Sequence, residues 1–171
     1  MTPLRLSLVL GGARSGKSRY AEALLAHHPA RVYIATAQAF DDEMRARIAE
    51  HRTLREVGWR TVEAPLDLPG ALLDAGDAPV LVDCLTLWLS NLMLGEHDLA
   101  AAEAALVEAL AARPAPTVLV SNEVGLGIVP DNALARAFRD RAGRLHQRLA
   151  AVADSVVFTV AGLPMILKGP P

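Results

Sequence analysis

The chain has 171 residues, of which 52% are apolar and 21% are charged, and its formal net charge is −2 at pH 7. This length favours a single domain, over residues 1–171, and no apolar run approaches the roughly 18 to 20 residues that cross a bilayer. The near-neutral charge gives no electrostatic case for nucleic acid or an anionic membrane as a partner. The single cysteine, Cys84, excludes an intrachain disulfide and is expected to be buried. The apolar run at residues 6–10 is too short for a signal peptide, so we expect a cytoplasmic protein.

A phosphate-loop motif, G-x-x-x-x-G-K-[ST], directly follows the apolar run at residues 6–10. Such a loop leaves a buried strand, turns with little side-chain bulk, and opens a helix whose unpaired N–H groups face an anion. We therefore predict a strand over 6–10, a helix over 18–27 and a bound nucleoside triphosphate. Lys17 is expected to reach the outer phosphates, and the Ser18 hydroxyl to ligate a bridging Mg²⁺. The motif consists of Gly11, Gly12, Ala13, Arg14, Ser15, Gly16, Lys17 and Ser18.

Strands and helices are predicted to alternate along the rest of the chain. In order, the pattern predicts strand 31–35, helix 41–57, strand 59–64, helix 66–75, strand 79–83, helices 85–94 and 99–112, strand 117–121, helix 131–153 and strands 155–160 and 165–168. This alternation indicates a mostly parallel sheet with helices on both faces, and the last two strands an antiparallel hairpin with its turn at 162–164. Together with the phosphate loop, it predicts an α/β three-layer sandwich of the RecA-like P-loop NTPase class.

Two acids follow predicted strands, at the edge of the sheet where ligands gather. Asp83 ends the apolar run at 80–82, where it is expected to hold Mg²⁺ directly or through water; an acid there is also a common helix cap. Glu123 follows strand 117–121 in a segment with two glycines and Pro130. It is expected either to contact a nucleophile or substrate hydroxyl, or to cap a turn.

A less expected group of residues lies on predicted helix 41–57. Arg47, His51 and Arg55 are spaced four residues apart, so they share one helical face. The two arginines disfavour protonation of the imidazole and offer forks for phosphate oxygens, which makes His51 a plausible nucleophile toward phosphorus. On spacing alone, a basic face with one histidine is more often a solvated surface, and that interpretation stays open.

Several segments of the chain resemble the bifunctional adenosylcobinamide kinase and adenosylcobinamide-phosphate guanylyltransferase family of cobalamin biosynthesis. The resemblance covers about residues 8–168. It rests on the phosphate loop, on Tyr33-Ile34-Ala35-Thr36-Ala37, on Asp41-Asp42-Glu43-Met44, on Arg47-Ile48 and His51-Arg52, on residues 59–63, and on Ser121-Asn122-Glu123-Val124-Gly125-Leu126-Gly127-Ile128-Val129-Pro130. A phosphate loop alone occurs in many families, whereas the last block together with the acidic and His-Arg segments is highly specific.

The resemblance implies two reactions on one chain. ATP or GTP phosphorylates the aminopropanol hydroxyl of adenosylcobinamide; GTP then forms a GMP-histidine intermediate at His51, and GMP passes to adenosylcobinamide phosphate, giving adenosylcobinamide-GDP. It also implies a homo-oligomer, reported as a trimer. The catalytic residues are then His51 and Lys17, with Arg47 and Glu123 as substrate candidates. The nucleotide contacts carried over are residues 11–18, Ala35, Thr36, Ala37, Arg52, Thr53, Leu54, Arg55, Glu63 and Asp83.

One position departs from the family pattern, because many members have glutamate where this chain has Asp83. The shorter side chain puts in doubt how the metal or ribose is held. Two other functions stay open: a monofunctional P-loop kinase for another small alcohol, in which His51 is structural, and a noncatalytic RecA-type nucleotide-binding module.

Overall fold

The computed structural model describes residues 4–38 and 57–170. Its strands are β1 (Leu6–Gly11), β2 (Arg31–Ala35), β3 (Trp59–Glu63), β4 (Val80–Asp83), β5 (Thr117–Asn122), β6 (Ser155–Val160) and β7 (Leu163–Lys168). They form one seven-stranded sheet in the order β3-β2-β4-β5-β1-β6-β7. Every neighbouring pair is parallel except β6 and β7, which are antiparallel. The predicted fold class, a mostly parallel sheet with an antiparallel C-terminal edge, is confirmed.

The helices of the described residues cover both faces of this sheet. They are α1 (Lys17–Leu24), α2 (Leu68–Asp74), α3 (Leu85–Leu94), α4 (Leu99–Ala112) and α5 (Ala133–Val152). Three of them begin after an Asx residue whose side chain accepts a hydrogen bond from a backbone N–H of the first turn: Asp67, Asp98 and Asn132. None of the helices in the described residues is long and apolar enough to cross a membrane.

The central strands are apolar on both sides because each faces a helical layer. In β1, Leu6, Leu8 and Leu10 pack into a core with α2, α3, α4 and α5 that surrounds Trp88, which is fully buried. Val9, between them, points to the opposite face and packs with Ala21 and Leu25 at α1. This alternation of side chains across a strand explains why the central strands appear as continuous apolar runs.

The clearest boundary difference is at the C-terminal hairpin. The turn was predicted at residues 162–164, but β7 begins at Leu163, which pairs directly with Val160. Ala161 and Gly162 form a two-residue turn, and both have positive φ, 52° and 80°. Two-residue turns of this kind match the right-handed twist of a hairpin, so the strands pair up to the turn itself.

Smaller differences occur at helix ends, where a side-chain cap selects the first residue. The helix predicted to start at residue 66 starts at Leu68, because Asp67 caps it, and the helix predicted from residue 131 starts at Ala133 after Asn132. The first helix ends at Leu24 and not near His27. The predicted helix 41–57 lies outside the described residues, apart from Val57, which belongs with Gly58 to a turn before β3.

Candidate functional site

The phosphate loop connects β1 to α1, as predicted, and its backbone is shaped by glycines. Gly16, directly before α1, has φ of 95°, a left-handed conformation that favours glycine. At Gly11 the restriction is steric, since a Cβ atom there would lie 2.5 Å from Thr159 Oγ1 and 2.6 Å from Ser15 Oγ. Lys17 and Ser18 form the first turn of α1, where backbone N–H groups without helical partners favour an anion.

Lys17 is buried, and its ammonium group is turned back onto the loop. Its Nζ donates a hydrogen bond of 2.5 Å to the carbonyl of Gly12. Burial lowers the pKa of Lys17, and the negative charge of Asp83 opposes that shift. The lysine therefore lies in the concavity of the phosphate loop, with an interaction that phosphate oxygens are suited to replace.

Ser18 and Asp83, the two residues predicted to hold Mg²⁺, are in direct contact. The Ser18 hydroxyl donates to Asp83 Oδ2 at 2.9 Å, and the buried Tyr33 donates its hydroxyl to the same oxygen at 2.7 Å. The helix after β4 is capped at Cys84 without a side-chain hydrogen bond, so the alternative role of Asp83 as a helix cap is not observed. One hydroxyl and one carboxylate fit Mg²⁺, which takes oxygen ligands and usually completes its shell with water and substrate phosphates.

Residues 35–37 leave the end of β2 beside Asp83. Ala35 pairs with Asp83 in the sheet, and the Thr36 amide donates to the Asp83 carbonyl at 3.2 Å. The fully buried Thr36 hydroxyl donates to the Cys84 carbonyl at 2.7 Å and accepts from the Cys84 amide at 2.9 Å. This hydroxyl therefore stabilises the β2 and β4 ends, and any contact of this segment with a ligand falls to Ala35, Ala37 or the backbone. Cys84 is buried, as predicted.

Glu63 is the last residue of β3, the outermost strand of the sheet, and lies at the same carboxyl ends of the parallel strands as Asp83. It pairs with Ala35 in the sheet and borders a groove of about 400 Å³ between β3 and α2. The groove combines apolar Val62, Leu66 and Ala71 with charged side chains, and no residue of the phosphate loop lines it. Four strand spacings, ~19 Å in total, separate β3 from β1. Glu63 therefore lies well away from the phosphate loop along this edge, and its contact with a nucleotide stays a prediction.

Glu123 follows β5 and lies next to the end of β1, the strand that leads into the phosphate loop. Its amide donates to the Gly11 carbonyl at 2.9 Å, and its Oε1 accepts from the Gly125 amide at 2.5 Å. Glu123 therefore caps a turn, which is one of the two roles predicted for it. Its Oε2 lies 3.9 Å from Nδ1 of His146, a buried histidine on α5 whose Nε2 bonds Ser121 Oγ at 2.7 Å. Burial lowers the pKa of His146, with Glu123 acting in the opposite direction.

The structure therefore brings together the phosphate loop, Asp83 and Glu123, with Glu63 further along the edge. The predicted residues Arg47, His51, Arg52, Thr53, Leu54 and Arg55 lie outside the described residues, and their roles stay predictions. Sequence reasoning missed Tyr33 and His146. A tyrosine inside an apolar strand signals a hydroxyl that needs a buried partner, whereas nothing in the pattern of α5 distinguishes His146 from its charged neighbours.

The fold and the site define the chain as a phosphate-loop NTPase. A glycine-rich loop follows β1, and Ser18 of this loop is hydrogen-bonded to Asp83 at the end of β4. Two solved structures share the fold. One is a protein of Pyrococcus horikoshii OT3, with TM-score 0.53 and 9% identity, covering 98% of this chain and 87% of that one. The other is an ATPase from the type III secretion system of pathogenic bacteria, with TM-score 0.51 and 13% identity, covering 90% of this chain and 50% of that one.

Sequence comparison narrows the class to one family. The family model described as cobinamide kinase / cobinamide phosphate guanyltransferase matches residues 7–167. The bifunctional adenosylcobalamin biosynthesis protein CobP of Pseudomonas aeruginosa is 54% identical, over 96% of this chain and 98% of that protein. The CobU proteins of Salmonella typhimurium and Escherichia coli are 49% and 46% identical, each over 94% of this chain and 98% of the relative. The chain belongs to the cobinamide kinase / cobinamide phosphate guanyltransferase family.

Proposed function

We propose that this chain catalyses two consecutive reactions in the assembly of the cobalamin nucleotide loop. It phosphorylates adenosylcobinamide with ATP or GTP, and it then transfers GMP from GTP to adenosylcobinamide phosphate to give adenosylcobinamide-GDP. The observation that carries the proposal is the phosphate loop with Lys17 in its concavity and Ser18 on Asp83, in a chain of this family.

In the kinase step, the hydroxyl oxygen of adenosylcobinamide attacks the γ-phosphorus of the nucleoside triphosphate. The bond from the γ-phosphorus to the bridging oxygen breaks, the nucleoside diphosphate leaves with the electron pair, and the hydroxyl proton is released to water. Lys17 and the loop amides bind the phosphate oxygens on which negative charge accumulates. Mg²⁺, which Ser18 and Asp83 are suited to hold, would supply further neutralisation of that charge.

In the transferase step, we propose that the neutral imidazole of His51 attacks the α-phosphorus of GTP. A P–N bond forms and pyrophosphate leaves; a phosphate oxygen of adenosylcobinamide phosphate then attacks the same phosphorus and releases the imidazole. Splitting one substitution into two in-line displacements is the general advantage of nucleophilic catalysis. Arg47 and residues 52–55 are proposed to hold GTP or its leaving pyrophosphate, and Glu63 to contact another part of GTP.

Glu123 is proposed to face the corrinoid substrate. It lies beside the end of β1, and the loop that follows Glu123 exposes Leu126 and Ile128, with 80% and 98% of their surface accessible. Apolar side chains next to a carboxylate suit a large, partly apolar ring system that carries a hydroxyl to be oriented. The compartment proposed for these reactions is the cytoplasm.

We also infer a homo-oligomer, with the trimer that the family resemblance implies. Every residue of β7 is exposed, including Leu163, Met165 and Leu167. An open edge strand with apolar side chains is a surface that proteins normally cover. Light scattering on the purified chain is expected to give the mass of a trimer.

Labelling with GTP that carries ³²P at the α-phosphorus tests the proposed function. We expect a covalent adduct that is labile to acid and stable to base, as a phosphoramidate is, and we expect His51→Ala to abolish it. His97→Ala, at an exposed histidine in the turn after α3, is the matched control and should label as the wild type does. Label that persists in His51→Ala assigns the nucleophile to another residue. An unlabelled protein that still phosphorylates cobinamide would be a monofunctional kinase, and one without any turnover a noncatalytic module.

A further inference from the structure

The turn between β6 and β7 packs directly against the phosphate loop. Thr159, which is 1% exposed, places its Oγ1 2.8 Å from Ser15 Oγ. The Gly162 amide donates to the Ser15 carbonyl at 2.9 Å. Ser15 is thus held through both its side chain and its backbone by residues about 150 positions later in the chain.

One arrangement of the hydroxyl protons satisfies both hydrogen bonds of the Thr159 side chain. Thr159 has a single O–H group, which donates to the Leu10 carbonyl at 3.2 Å. Its oxygen is then available as an acceptor for the Ser15 O–H. In this arrangement the Ser15 hydroxyl donates its only hydrogen bond to Thr159. The Ser15 side chain is then fixed toward the sheet, while its backbone remains part of the phosphate loop.

The contact is close enough to exclude a Cβ atom at Gly11 and to leave little room for one at Gly16. A Cβ atom on Gly11 would lie 2.7 Å from the Thr159 carbonyl oxygen, and one on Gly16 would lie 3.0 Å from the Gly162 Cα. Gly11 also pairs with Thr159 in the parallel ladder between β1 and β6. The loop is therefore supported from behind by backbone and a buried hydroxyl, without a flexible side chain between them.

We propose that Thr159 is a positioning residue for nucleotide binding: the β6–β7 hairpin holds the phosphate loop in its triphosphate-binding shape through Ser15. The inference rests on the proposed function, because it concerns the nucleotide bound by that loop. A loop that is already ordered loses less conformational freedom when its ligand binds, so the support contributes to affinity without contacting the nucleotide.

The Thr159→Val variant tests this proposal, because it removes the hydroxyl and keeps the branched shape. We expect the Kd for GTP with Mg²⁺, measured by titration calorimetry, to rise about 5- to 10-fold, the effect of losing one buried hydrogen bond. Thr159→Ser keeps the hydroxyl and should restore most of the affinity. Ser15→Ala should weaken binding similarly, and the Ser15→Ala/Thr159→Val double variant by no more than the larger single effect.

Thr117→Val is the matched control for a general loss of stability. Thr117 is a buried threonine at the start of β5, where it pairs with Leu6 at the end of β1 remote from the phosphate loop. Its hydroxyl accepts from Arg113 Nε and donates to the Ala115 carbonyl, both at 3.2 Å. This variant should melt at a lower temperature with an unchanged Kd for GTP. Hydrogen exchange of the ligand-free proteins should become faster over residues 11–18 in Thr159→Val and not in Thr117→Val.

The possible results separate the two proposals. A wild-type protein that binds neither GTP nor ATP overturns the proposed function. A wild type that binds GTP while Thr159→Val binds it equally well overturns the positioning role alone. The positioning role is also overturned if Thr117→Val raises the Kd as much as Thr159→Val, or if the double variant shows the sum of the single effects.

Discussion

Replacing Tyr33 by phenylalanine is a sharp test of how the Asp83 carboxylate is oriented for Mg²⁺. The Tyr33 hydroxyl donates to Asp83 Oδ2 at 2.7 Å, and Ser18 donates to the same atom at 2.9 Å. When Mg²⁺ is bound, the Ser18 oxygen is expected to turn from Asp83 to the metal. The bond from Tyr33 would then be the contact that keeps the carboxylate in place. Tyr33→Phe removes this bond and retains the ring, which packs edge-on against Trp59 with centroids 5.9 Å apart.

The expected magnitude follows from the charge of the acceptor. A hydrogen bond to an ionised group contributes about 1.5 to 3 kcal/mol to the free energy of unfolding. For a chain of this length, such a loss corresponds to a melting temperature lower by about 3 to 12 °C. The carboxylate also becomes less well oriented for the metal. We expect the half-saturating Mg²⁺ concentration of the kinase reaction to rise about tenfold, which corresponds to about 1.4 kcal/mol.

Two measurements check this prediction, thermal unfolding and the initial rate of cobinamide phosphorylation as a function of Mg²⁺ at saturating nucleotide. Tyr20→Phe is the matched control, because the Tyr20 hydroxyl makes no hydrogen bond to any of residues 4–38 or 57–170. It should leave both quantities unchanged. A lower melting temperature with an unchanged Mg²⁺ dependence would show that Tyr33 stabilises the fold without orienting Asp83, and the reasoning about the metal would be refuted.

Two further changes test the phosphate loop and the buried histidine. Lys17→Ala should lower both the kinase and the guanylyltransferase rates by about 100-fold or more, since both reactions need the same triphosphate held by the same ammonium group; if either rate is retained, the chain has two separate nucleotide sites. His146→Asn should reduce the pH dependence of stability below about pH 6.5. Burial lowers the pKa of His146 in the folded chain, so on acidification the unfolded chain takes up the proton first. The stability that the neutral, buried His146 contributes is therefore fully present above about pH 6.5, and it declines as the pH falls towards the lowered pKa. Urea denaturation at several pH values measures it, and equal slopes in wild type and His146→Asn would contradict this account.

Local chemistry made much of the fold predictable. The order of strands and helices followed from apolar runs and breaking residues, and the phosphate loop from glycines that a close approach and a left-handed backbone require. The parallel sheet followed from the alternation of the elements. Helix starts were less predictable, because Asp67 and Asn132 cap their helices in competition with other polar residues nearby.

The roles of single acids were not predictable in the same way. By sequence, Asp83 is suited to cap a helix or to bind a metal. Its contacts with Tyr33 and Ser18 depend on the side-by-side order β2, β4, β5, β1. Glu123 was equally open. Its carboxylate both shapes a turn and lies 3.9 Å from His146, which is 23 residues later in the chain, on α5. Such pairings depend on which strands are neighbours, and periodicity carries no information about that.

By itself, the sequence determined the class of the fold, the phosphate loop and, through specific motifs, the family, because each of these depends on residues that are close together along the chain. The tertiary structure decided which distant groups meet: Ser18 with Asp83, and Ser15 with Thr159. The second contact arises because β6 lies directly beside β1, and the first because only β5 separates β1 from β4, so that the loop leaving β1 meets residues from the end and the middle of the chain. Sheet order is set by the packing of the whole core, and a local pattern cannot specify it.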